Sequence, residues 1–414
     1  MKKTMILCFL LVIFSLTEAK VNFNKPYPTH PIYEATLKNG LKVVIYKDSL
    51  TPTVSSQLWF NVGSIYDPPG RSGLSHLLEH MDGTKNYKPR AIAQIIDSLG
   101  GEDNAFTSNL YVCYWIDLAQ EFYETALALL AERMENLLIT EEKFLSERNV
   151  VMEERRLGEN EPYDILWEQF DLLTFKFHPY RNPVIGWMDD IRRITLNDLI
   201  NHYKTYYQPQ NAILVLSGNV EVEDALKKIN RYFAKIKSRP VQHPKFYEPP
   251  QVGEQTLVLY RKVSLPAVLI GYRTADSLDN EYYALEVLEG LLGWGKAARL
   301  YKKLVEEKNF ALRVGVWNDL EREAGVFKIF VVPKKIEYLD TIIILINKEL
   351  ENLMSLGPDS ISDFEMTRIR NNIIANEIYS RDRARGIGMR IGRQLIVSGK
   401  LVDMIEYPKR VENV

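Results

Sequence analysis

Gly73-Leu74-Ser75-His76-Leu77-Leu78-Glu79-His80 is the stretch on which the reading of this chain turns. His76 and His80 stand four apart and Glu79 three from His76, so a helix places all three side chains on one face. Two imidazoles one turn apart can grip a single zinc ion, and the carboxylate between them can take a proton from water on that ion. The alternative is a helix carrying two ordinary surface or core histidines. With only six His in the chain, chance produces this five-residue pattern in fewer than about one such chain in a hundred. A tetrahedral catalytic site needs three protein ligands and one open position, so the sequence must hold a further carboxylate, His or Cys.

Working outward, Leu41 to Tyr46 and Val54 to Phe60 are strand-like, with a Lys38-Asn39-Gly40 turn before the first. Helical periodicity runs through Gly73 to Met81, Ala91 to Leu99, Phe122 to Leu138 and Glu141 to Arg156, and Asn104 to Leu118 is rich in β-formers. A strand at Ile213 to Leu216 and a helix from Val222 to Ile236 close the first half. Residues 237–255 carry Pro240, Pro244, Pro249 and Pro250 among polar residues, the composition of an interdomain linker. The same order of elements then returns: a strand at Ala267 to Arg273, a helix from Tyr282 to Leu292, a β-rich stretch at Val314 to Val332, and helices at Ile342 to Leu356 and Ser362 to Tyr379. Overlaying the halves sets Leu77-Leu78-Glu79 against Val287-Leu288-Glu289, with Glu286 and Gly290 where the first half has His76 and His80. Only the first half can hold the metal. Lys409 to Val414 matches Ile191 to Thr195, after which the first half continues into a helix and a strand, so the second domain is expected to be short at its C-terminus.

The composition sets the frame for these motifs. At 414 residues, with 46% hydrophobic and 26% charged, the chain is globular and too long for one ordinary core. Lys and Arg at 52 against Asp and Glu at 54 give a net charge of -2, which supplies no field to attract nucleic acid. The two cysteines, Cys8 and Cys113, cannot make a disulfide framework, and Cys113 sits in a Tyr-Val-Cys-Tyr-Trp run that suits core packing. Lys2 and Lys3 before an apolar stretch from Met5 to Leu16, then Thr17-Glu18-Ala19, form the pattern of a cleavable signal peptide over residues 1–19. That stretch is short for a bilayer span, so the expectation is an exported, periplasmic or extracellular protein with no membrane span after cleavage.

Two further motifs follow in order: Gly100-Gly101-Glu102-Asp103-Asn104-Ala105-Phe106-Thr107-Ser108, and Glu147-Arg148-Asn149-Val150-Val151-Met152-Glu153-Glu154. Together with the His-x-x-Glu-His helix they resemble the pitrilysin/insulysin metallopeptidases, nearest to the short-chain branch that includes the mitochondrial processing peptidase. The resemblance runs from about Leu37 to the end of the chain. It implies an α+β fold of two homologous α/β-sandwich domains, each a mostly antiparallel sheet packed with helices. The zinc-binding domain would occupy residues 20–236, the linker 237–255 and the homologous metal-free domain 256–414. It further implies one zinc ion per chain, held by His76, His80 and Glu154, with Glu79 as general base and Glu147, two helical turns before Glu154, orienting a ligand histidine. Glu153 falls off that face and reads as solvated. Asn104, Ala105, Phe106 and Thr107 match the family's edge strand, on which an extended peptide would pair its backbone.

The chain departs from the pattern twice. Met81-Asp82-Gly83-Thr84 makes the loop after His80 slightly short, and 154 − 80 = 74 residues separate His80 from Glu154. In the second domain, Val305 and Leu312 stand where many relatives carry an Arg and a Tyr that grip substrate and steady the oxyanion. Arg299 and Tyr301 lie nearby on an apparent helix, where a structural role is expected. The activity implied is zinc-dependent endopeptidase action on unfolded peptides or small polypeptides, by the zinc-bearing member of a heterodimer whose homologous partner subunit supplies the Arg/Tyr pair. The rival readings are a non-catalytic scaffold subunit of the same fold, and a zinc-binding protein without hydrolysis.

Overall fold

The alternating and continuous apolar runs of the first half assemble into one six-stranded sheet. In the computed structural model, which describes residues 31–87, 91–276, 281–379 and 383–412, these strands are β1 (Ile32–Thr36), β2 (Lys42–Lys47), β3 (Thr53–Phe60), β4 (Glu102–Thr107), β5 (Val112–Ala119) and β6 (Ala212–Gly218). Their order is β1-β2-β6-β3-β5-β4, antiparallel throughout except where β2 runs parallel to β6. β6 is buried from end to end, and β3 everywhere but its first residue, because both faces of the sheet are covered. Among the described residues β4 pairs only with β5 and so forms one edge of the sheet. The leader expected at residues 1–19 lies outside the described residues.

Among the described residues of the first half, the helices are α1 (Leu74–Glu79), α2 (Ala91–Ser98), α3 (Tyr123–Asn136), α4 (Glu141–Glu159), α5 (Pro162–Thr174), α6 (Met188–Arg193), α7 (Leu196–Tyr206) and α8 (Val222–Phe233). Neither helix nor strand occurs between α8 and β7 (Val268–Thr274), so the irregular stretch around the expected linker extends beyond residues 237–255 on both sides. β7, β8 (Ala311–Leu320) and β9 (Gly325–Pro333) form a second antiparallel sheet in the order β7-β9-β8. It is accompanied by α9 (Glu281–Gly293), α10 (Arg299–Tyr301) leading into a π-helical turn at Lys302–Glu307, α11 (Leu339–Leu356), α12 (Asp363–Tyr379), α13 (Ala384–Val397) and α14 (Val402–Glu412).

Each unit lends one helix to the other. From the first, α5 lays Trp167 on Phe330 of β9, stacked at 5.7 Å, and edge-on to Trp317 of β8 at 5.5 Å, while Phe170 fills the space above Gly271 of β7. In return α13 crosses the back of β3 and β6. There Gly392 lies against the Trp59 ring and Gly388 against Gln57, and the Ser217 hydroxyl donates to the Ala384 carbonyl at 2.6 Å. Ile387, Ile391, Leu395 and Ile396 of α13 join the core of the first sheet. Burial of these apolar side chains at roughly 1.5–3 kcal/mol each binds the two units into one body. No helix among the described residues is long and apolar enough to cross a membrane.

Candidate metal centre

The short helix α1 cannot hold its position by its own hydrogen bonds, and the chain supplies them from outside. Asp67, fully buried, accepts from the backbone N–H of Gly73, Leu74 and Ser75 at 2.8, 3.0 and 2.9 Å and from the Ser75 hydroxyl at 2.7 Å. The Ser75 hydroxyl also meets His202 Nε2 on α7 at 2.9 Å, and burial keeps that imidazole neutral by lowering its pKa to about 3. Gly73 has φ +89°, and a Cβ there would overlap the Ile185 carbonyl, so the loop before α6 presses on the start of α1 as only glycine permits. At the other end, Arg133 of α3 donates to the Met81 carbonyl at 2.8 Å.

Clamped this way, α1 turns His76, Glu79 and His80 toward α4, as their spacing predicts. His80 Nε2 lies 3.7 Å and His76 Nε2 4.0 Å from Glu154 Oε2, and donor atoms from the three residues all fall within 4.8 Å of one another. Donors sharing one tetrahedral zinc at roughly 2.0–2.2 Å stand roughly 3.3–3.6 Å apart, so small rotations of the two imidazoles and of the half-exposed Glu154 complete the set. The donor chemistry fits the metal as well. Burial, helped by the neighbouring His80, holds His76 down to about 4, which leaves its imidazole neutral and able to ligate. These residues would therefore hold a zinc ion with nitrogen and oxygen donors.

Around this trio the structure places the other predicted residues. Glu147 Oε2 lies 3.3 Å from His80 Nδ1, and its other oxygen 2.8 Å from the Lys143 ammonium, which also reaches Asp82 at 3.1 Å. Asp82, from the Met81-Asp82-Gly83-Thr84 loop, thus starts a charge chain running Asp82–Lys143–Glu147–His80. Glu153 points to solvent and pairs with Arg156, as its position on the helix suggested. Glu79 accepts a hydrogen bond from the Thr107 hydroxyl at 2.5 Å, and burial raises its pKa above the usual carboxylate value against the opposing pull of Thr107, His80 and Arg133. That contact joins the catalytic candidate to β4, whose residues Asn104, Ala105, Phe106 and Thr107 occupy the sheet edge. Phe106 turns to the other face, edge-on to Trp59 at 5.8 Å.

The second domain offers no substitute donors at the positions read from the sequence. Val305 lies in the π-helical turn and Leu312 in β8. Arg299 is committed elsewhere, to Glu365 at 2.7 Å and Glu349 at 3.1 Å. Asp67, Lys143, Thr107 as the partner of Glu79, and Arg133 carried no signal in the sequence: Thr107 and Arg133 act through contacts distant along the chain, and nothing in the sequence marked Asp67 or Lys143 off from other charged residues. Cys113 is free and buried, as its surroundings suggested.

Comparison with known proteins identifies relatives of both halves of the chain. Residues 42–187 match the family model described as insulinase (peptidase family M16), and residues 193–373 match the peptidase M16 inactive domain. The chain is 35% identical over 300 residues to the zinc protease PqqE of Helicobacter pylori, covering 70% of this chain and 68% of that one. It is 26% identical over 392 residues to a probable mitochondrial-processing peptidase subunit beta of Arabidopsis thaliana, covering 92% and 73%. The crystal structure of a protease from Helicobacter pylori superposes with a TM-score of 0.87 at 30% identity, over 93% of this chain and 94% of that one. A peptidase M16 inactive domain from Pseudomonas fluorescens shares the fold with a TM-score of 0.80 at 17% identity. With a relative 35% identical over two thirds of its length and family models matching residues 42–187 and 193–373, the chain belongs to the pitrilysin/insulysin family, peptidase family M16.

Proposed function

We propose that this protein is a zinc-dependent metalloendopeptidase that hydrolyses peptide bonds in unfolded peptides or small polypeptides. The observation that carries the reading is the convergence of His76, His80 and Glu154 beside a buried carboxylate, Glu79, that is tied to the edge strand through Thr107. A zinc ion bound there supplies Lewis-acid polarisation of a carbonyl and lowers the pKa of its water. The chain's own residues do the rest. The free edge of β4 pairs with an extended peptide backbone, and main-chain pairing tolerates varied side chains. Glu79 takes the proton of the attacking water and returns it to the leaving amine, and Thr107 fixes which carboxylate oxygen is free to do so.

The absence of donors at Val305 and Leu312 supports a heterodimer in which a homologous partner provides the Arg/Tyr pair, since an oxyanion donor contributes about 2.7–4 kcal/mol to the transition state. The leader read at residues 1–19 supports export. The same absence favours, as a second reading, a zinc-bearing subunit without turnover. Glu79→Gln separates the two. The variant is expected to keep its zinc by elemental analysis and lose at least about a hundredfold in peptide hydrolysis. Activity of the wild type that survives this change refutes the assignment of Glu79. Equal rates with and without a co-expressed homologue refute the heterodimer.

A further inference from the structure

Thr107, Ala105 and Asp103 alternate onto one face of β4, the face that meets Glu79. Beneath the second and third of them, walled by Tyr114 and Ile116 of β5 and by Leu129, Leu130 and Arg133 of α3, lies a cavity of about 160 Å³. Successive same-face positions of a strand are about 6.6–6.8 Å apart, so this cavity begins one side-chain position along from the Glu79 contact. A peptide paired on the free edge of β4 would direct one of its side chains there.

Arg133 decides what that side chain can be. Its guanidinium lies 4.1 Å from the Tyr114 ring centroid and gives one N–H to the Met81 carbonyl, and among the described residues it has no carboxylate within ion-pair distance. No carboxylate closes a direct ion pair on it: Glu79 and Asp103 act on the guanidinium from farther off, and Leu129, Leu130 and Ile116 wall the space beside it. Asp103, exposed at the rim, disfavours a short acid that would stop beside it. A longer carboxylate passes the rim and reaches the guanidinium in a geometry that accepts two parallel N–H donors. An apolar side chain would bury those donors without a partner, and a lysine would meet like charge.

Resting on the peptidase reading, we propose that this cavity is a substrate subsite for glutamate and that Arg133 is its specificity-determining residue. The test uses the full zinc-loaded chain, with its homologous partner if one co-purifies. A series of quenched fluorescent peptides varies each position flanking the cleaved bond among Glu, Asp, Gln, Leu and Lys, with cut sites assigned by mass spectrometry. At one flanking position, kcat/KM for Glu is expected to exceed that for Leu and Lys by about tenfold or more. Arg133→Gln levels the Glu/Leu ratio, and Arg133→Lys keeps its direction. A flat wild-type profile overturns the subsite, as does a Glu preference that survives Arg133→Gln. If Arg133→Gln fails to fold for want of its bond to Met81, the wild-type profile and the Arg133→Lys ratio still decide. Failure to cleave any peptide at full zinc loading instead sinks the peptidase reading and takes the subsite with it.

Discussion

His80 takes its orientation from Glu147, which in turn shares its charge with Lys143. A carboxylate behind a ligand imidazole raises its basicity and fixes its tautomer, and losing such a partner typically weakens metal binding about 10–100-fold. Glu147→Gln is therefore expected to lower zinc affinity by that factor in competition with a chromophoric chelator, while Glu153→Gln leaves it unchanged. Equal affinities would remove Glu147 from the site. At this scale the sequence was partly readable. The spacing of His76, Glu79 and His80 sufficed for three residues, because a helix converts spacing directly into a shared face. Glu154 needed family resemblance, since nothing local distinguishes it from Glu153. Arg133 stayed hidden because its contact with Met81 is long-range, and Asp67 because a cap reaching six to eight residues ahead leaves no periodic trace.

Among the elements, α12 is tied to α10 by Glu365, which accepts two N–H groups of Arg299 at 2.7 and 3.0 Å and one from the Ser362 backbone at 3.0 Å. The guanidinium, chiefly, holds the Glu365 carboxyl down to about 2, below its ordinary 4.5. As pH falls, the unfolded chain takes up the proton first. The stabilisation is thus complete above about pH 4.5 and fades as pH falls toward about 2. Glu365→Gln should flatten that acid limb in urea titrations, removing about 2 kcal/mol at neutral pH once partial exposure is allowed for. An unchanged limb would show that the pair contributes nothing. Most elements followed from the sequence pattern: β2, β3, β6, α3, α4 and α8 sit within a few residues of their expected places. α5 and α13 did not, and the reason is physical. Their apolar faces meet the other unit's sheet, and α13 makes its close approach with Gly388 and Gly392, which register in no hydrophobic period. β1, only five residues with polar Glu34 and Thr36, was too short to stand out.

Over the whole molecule, the exchanged helices make each half part of the other's core. Gly392→Val would drive a branched side chain into Trp59 and is expected to cost about 1–3 kcal/mol. Because the damage falls on a surface common to both units, thermal unfolding should remain a single transition at a lower temperature. Two separated transitions in calorimetry would show that the units melt independently.

The long ribbon joining α8 to β7, without helix or strand of its own, is by contrast not what keeps the halves together. A clean cut within it should yield two polypeptides that separate on a denaturing gel yet elute from a sizing column at the volume of the uncut protein. Such a nicked species would keep the His76–His80–Glu154 arrangement, since every one of those residues lies upstream of the break.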